Sequence, residues 1–102
     1  MLEMSKNYSV KFIEAIQQAE GESLGLELAK ACVESRLPPK LIAKHFSVTR
    51  ITIHNWFRGG AIRESKKLKI VKFVEQLYTD IEKGVLPVKD GKAAKEYIES
   101  FN

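Results

Sequence analysis

Six residues within a stretch of ten, Thr49, Arg50, Ile51, His54, Asn55 and Arg58, bear the side chains best suited to recognition chemistry in this sequence. A guanidinium offers two parallel donors that match the acceptor edge of guanine. An asparagine amide matches the donor and acceptor edge of adenine, and an isoleucine can meet the methyl group of thymine. At helical periodicity the six positions fall on one face. Such a helix, rooted in a core by its back, can lie in the major groove of double-stranded DNA. Reaction chemistry has no comparable support. There is no phosphate loop, metal-spaced Cys/His set or nucleophile triad, and the carboxylates form no paired acid–base pattern. His45 and His54 cannot make a metal site unaided. The sequence therefore predicts no enzyme, no catalytic residue, no metal and no cofactor.

The elements that must position this face lie between Pro38 and Gly59. Pro39 suits the first turn of a helix, where its missing N–H would have no partner. Leu41, Ile42 and Phe46 recur at helical spacing, with Ala43 small where a second helix would cross closely. Ser47 and Val48 interrupt the pattern, and Val48 can fill the gap between the two helices. Thr49 is a natural N-cap. Ile53 and Trp56, three apart, point inward from the second helix, and Gly59-Gly60 ends it.

With Ala43, Phe46, Val48, Ile53 and Trp56 at these spacings and Arg58-Gly59 closing the helix, the stretch resembles the helix-turn-helix of phage repressor and Cro-like regulators. The resemblance covers the middle third of the chain closely and residues 23–83 loosely. It implies an all-helical domain that binds operator DNA as a homodimer. The sequence departs from the family at Ser47, where glycine is usual; that position often needs positive φ. Trp56-Phe57 is also similar to the homeodomain third helix, but Gly59 stands where that family's asparagine would fall, and no basic arm precedes the helix.

Charge reinforces the expectation. Residues 36–72 hold ten basic side chains against Glu64 alone, whereas residues 1–35 and 73–102 are mildly acidic, within a total of +4. Concentrated positive charge over a recognition motif is the electrostatic footprint of phosphate binding. Lys40, Lys44, Arg63, Lys66 and Lys67 are the expected phosphate contacts. Thr49, Arg50, Ile51, His54, Asn55 and Arg58 are the expected base contacts.

The remaining periodicities complete an all-α fold: a compact bundle of about five to six helices without a wing, since no alternating strand pair follows Gly60. A helix from about Tyr8 to Ala19 forms an N-terminal extension (1–22). A helix from Ser23 to Ser35 presents Leu24, Leu28, Ala31 and Cys32 inward, with Leu26 and Val33 at its edges. A helix from Glu64 to Lys83 carries a stripe of Leu68, Val71, Val74, Leu77, Tyr78 and Ile81, widened by Ile70 and Phe73. After the 23–83 core, Asp90 caps a terminal helix reaching Phe101 within 84–102. His45 is expected on a helix surface.

The whole of 1–102 is expected to be one domain. One cysteine excludes an intramolecular disulfide, and Cys32 reads as a small core residue. No apolar run approaches a membrane span, and no signal peptide is predicted, so a cytoplasmic location is expected, in a prokaryote or an infected host cell. The function expected is a sequence-specific double-stranded DNA-binding transcriptional regulator. The rival expectation is a protein-interaction module that binds or inhibits the transcription machinery through the same fold.

Overall fold

The helix at the centre of the molecule is the one richest in small residues. Helix α1 (Leu24–Ser35) starts at Ser23, whose hydroxyl accepts the Leu26 N–H at 3.0 Å. Gly25, Leu26, Leu28, Ala29, Ala31, Cys32 and Ser35 are all buried, so the apolar surface runs most of the way round the helix. Glu27, Lys30 and Glu34 form its remaining polar side, and so wide a buried face seats the helix against the core. The inner face is therefore broader than the sequence pattern predicts: Leu26 is buried, while Leu24 is only half-buried. The computed structural model describes residues 23–101, and the expected helix at 8–19 lies outside them.

Four more helices follow: α2 (Pro39–Phe46), α3 (Arg50–Phe57), α4 (Glu64–Glu82) and α5 (Gly91–Glu99). Among the described residues there is no strand. The architecture is an all-α bundle in which α1 packs on α3 and α4, and α2 packs on α3 and α5. Its ends obey local chemistry. The Thr49 hydroxyl accepts the Thr52 N–H at 3.1 Å, and the Asp90 carboxylate accepts the Ala93 N–H at 2.8 Å. Gly59 adopts φ +91 and closes α3, with its N–H bonded to the Trp56 carbonyl at 2.9 Å.

The core is joined by aromatic rings. Phe46 packs edge-on against Trp56 and Phe73, at centroid separations of 5.8 and 5.2 Å. Phe73 then meets Phe101 at 4.9 Å, beyond the end of α5. Edge-to-face pairs of this kind add about 0.5–1.5 kcal/mol to simple area burial. They also decide the register of α4. Ile70, Phe73, Val74 and Leu77 are its buried residues, whereas Leu68 is 64% and Val71 37% exposed. The expected stripe is corrected accordingly: two apolar stripes overlap on this helix, and the one containing Phe73 faces inward because it meets the ring of Phe46.

The chain between α4 and α5 is held from both sides. The Asp80 carbonyl accepts the Val85 and Leu86 N–H groups, and its carboxylate accepts the Tyr97 hydroxyl and the Gln76 amide. Val88 donates its N–H to the Ser35 carbonyl, which ties this segment to α1.

Gly25 marks the tightest crossing. A Cβ built there would stand 1.9 Å from the Trp56 carbonyl oxygen. Gly25→Ala should therefore destabilise the protein by about 1–3 kcal/mol through overpacking, although the same change at an open helix site would stabilise by about 0.5–1 kcal/mol. Urea denaturation of the two proteins measures this, and an unchanged midpoint would mean that α1 and α3 can separate freely.

Candidate nucleic-acid interface

The turn between α2 and α3 is built from the end of α2. A helix leaves its last four carbonyls without internal partners; here these belong to Ala43, Lys44, His45 and Phe46. Ser47 takes the left-handed conformation, φ 58 and ψ 44. That brings the Val48 N–H to the Ala43 carbonyl at 3.0 Å and the Ser47 N–H to the Lys44 carbonyl at 3.2 Å, the two bonds of a Schellman cap. The other two carbonyls are reached from α4. The Lys69 ammonium donates to His45 O at 3.0 Å and the Lys66 ammonium to Phe46 O at 2.9 Å.

Beyond the turn, α3 buries Ile53, Trp56 and Phe57. Trp56 thus anchors the helix as the sequence predicts, and Phe57 joins it. On the opposite side Arg50, Asn55 and Arg58 are exposed, and Ile51 is 73% exposed. His54 is half-buried, its ring edge-on to Phe57 at 6.2 Å. Thr49 is exposed, but its hydroxyl is engaged with the N–H of Thr52 and, at 3.0 Å, with the Thr52 hydroxyl. Four of the six expected base-reading side chains therefore stand clear of the core; the other two are partly committed to local contacts.

The basic residues divide in the same way. Lys40, Lys44, Arg63 and Lys67 are exposed, and Lys67 lies 3.1 Å from Glu64 on the same helix. A surface pair of this kind contributes at most about 1 kcal/mol. Lys66 is half-buried and turned toward α2, so it braces the turn. Lys69 does the same one helical turn later. The sequence alone gives no signal for this bracing, because donor and acceptor are 20 and 24 residues apart.

His45 departs from the expected surface position. Its ring is half-buried among Phe46, Phe73 and Phe101, at 4.9, 5.0 and 5.3 Å. Burial, and then the charge of Lys69, hold its pKa below the ordinary histidine value. Cys32 is fully buried, and burial pushes its thiol well above the usual range, so it is no thiolate nucleophile. Burial, and then the Asp80 carboxylate, raise Tyr97 similarly. Among the described residues no cluster of His, Cys, Asp and Glu could hold a metal ion, and no helix is long and apolar enough to cross a membrane.

Two predictions follow from the turn. Ser47→Gly should stabilise the protein by about 0.5 kcal/mol, relief of left-handed strain outweighing the added freedom of the unfolded chain, while Ser47→Val should destabilise it by about 1–3 kcal/mol. Thermal unfolding of both variants checks the order. For His45, the unfolded chain binds the proton more readily than the folded one. Its contribution to stability is present above about pH 6.5 and is lost as pH falls through the lower folded pKa. The urea midpoint should accordingly drop between about pH 7 and about pH 5, and drop less in His45→Phe; equal slopes would exclude His45 as the source.

No protein-family model matches the chain, and neither a curated protein nor a solved structure matches it.

Proposed function

We propose that this chain is a non-enzymatic, sequence-specific regulator of transcription that reads the major groove of double-stranded DNA with α3. The observation that carries this is the two-sidedness of α3. Ile53, Trp56 and Phe57 fix its back in the core, leaving Arg50, Ile51, Asn55 and Arg58 exposed on one short helix. Arg50 pairs with guanine, Asn55 with adenine or a phosphate, and Ile51 with a thymine methyl. Arg58 and His54 add base or backbone contacts, and Thr49 sets the entry of the helix. Lys40, Lys44, Arg63 and Lys67 meet phosphates, which position the protein without reading sequence. Lys66 acts one step back, by holding the turn.

A single short helix reads few base pairs, so the working form is a homodimer on two half-sites about one turn of DNA apart. The exposed Leu68 and Val71, three apart on α4, offer an apolar surface for pairing, and Val85 is exposed beyond the end of that helix.

The test separates base reading from charge. Sites selected from random duplexes should form a palindrome. Arg50→Ala should cost about 1–3 kcal/mol at the selected site and relax base preference at one position, with the fold intact by circular dichroism. Lys67→Ala should weaken all sequences alike and reduce the salt slope by about 0.9. If selection enriches no sequence at low salt, α3 does not read DNA, and the rival function of binding the transcription machinery takes its place.

A further inference from the structure

Beside the turn, α2, α4 and α5 enclose an open pocket of about 390 Å³. Its composition is distinct from that of the α3 face. Three lysines line it, one from each helix: Lys44, Lys69 and Lys95. Leu41 and Ile98 supply an apolar wall, and the turn contributes Ser47. His45 and the carboxylate of Glu99 complete the lining. Three lysines and one glutamate thus line it, a formal excess of two positive charges among these residues.

We propose that this pocket binds a small organic phosphate, with its phosphate between Lys44, Lys69 and Lys95 and its apolar body on Leu41 and Ile98. A phosphate monoester carries nearly two negative charges at neutral pH, which matches the excess. Lysine serves phosphate as a compact charge with three donors. Lys69 uses one donor on the His45 carbonyl at 3.0 Å, and an ammonium has two more. That bond also places positive charge where the end of α2 would otherwise repel an anion. The volume lies within the range of about 300–1,000 Å³ usual for small-molecule sites. An occupant would join α5 to the turn, so it stabilises the folded chain by mass action. The proposal shares Lys44 with the DNA reading and otherwise uses residues outside it.

The experiment is a titration of the whole chain with phenyl phosphate, followed by amide NMR at fixed ionic strength and without DNA. Saturable shifts are expected at Leu41, Ser47 and Ile98, with affinity about tenfold above that of inorganic phosphate. Lys95→Gln should weaken phenyl phosphate about fivefold and leave duplex affinity unchanged. Lys89→Gln, in the loop before α5, should leave both unchanged. Shifts that do not saturate, equal affinity for inorganic phosphate, or an indifferent Lys95→Gln variant would each overturn the proposal. In a separate duplex-binding measurement, loss of affinity in Lys95→Gln would overturn the proposal and reassign the pocket to the DNA backbone. Because the titration contains no DNA, its failure leaves the α3 reading standing.

Discussion

The rest of the molecule depends on how the end of α2 is closed. Four carbonyls there have no partner within the helix and take donors from outside it. Two donors come from the turn itself, but only because Ser47 enters the left-handed region. The other two come from Lys66 and Lys69, on the first turns of α4. The turn is thereby fixed at both levels, by its own backbone and by a distant helix. Because α3 starts three residues after Ser47, whatever fixes the turn also fixes the direction in which α3 leaves it.

The second determinant is the approach of α1. Gly25 lets the backbone of α1 come against the Trp56 carbonyl, and no side chain could replace it without moving one of the helices. Trp56 then passes the contact on to Phe46, Phe46 to Phe73, and Phe73 to Phe101. A rigid chain of rings thus runs from the back of α3 to the end of α5. The exposed face of α3 is consequently set by packing on its opposite side, not by anything its exposed residues do.

Features decided within a few residues were legible in the sequence. Ser23, Thr49 and Asp90 cap helices because each hydroxyl or carboxylate needs only an N–H two or three residues ahead. Positive φ at Ser47 was implied only by the resemblance, which places glycine there, and the residue adopts it. Features decided by distant partners were not. Two stripes on α4 satisfy helical spacing equally, and only the position of Phe46 selects the one with Phe73. His45 looked like a surface residue because the rings around it come partly from α4 and from Phe101. Of the candidate interface, the exposure of Arg50 and Asn55 followed from periodicity, while the engagement of Thr49 by Thr52 and the bracing by Lys66 did not.

That last difference bears on what the positive charge of residues 36–72 does. Lys66 sits in the first turn of α4, where a cation is disfavoured, while Lys66 and Lys69 both reach the C-terminus of α2, where cations are favoured. The contribution to α2 offsets the cost of Lys66 to α4, so the sequence around α4 does not require DNA to explain these two residues. Their charge nonetheless remains near the turn, because a hydrogen bond to a carbonyl does not neutralise an ammonium. Long-range attraction to a phosphate backbone depends on summed charge and counts them in full. Short-range contact depends on free donors and counts them only in part. Charge density and exposed donors are thus separate properties of this surface, and α3 and its C-cap expose Arg50, Asn55 and Arg58.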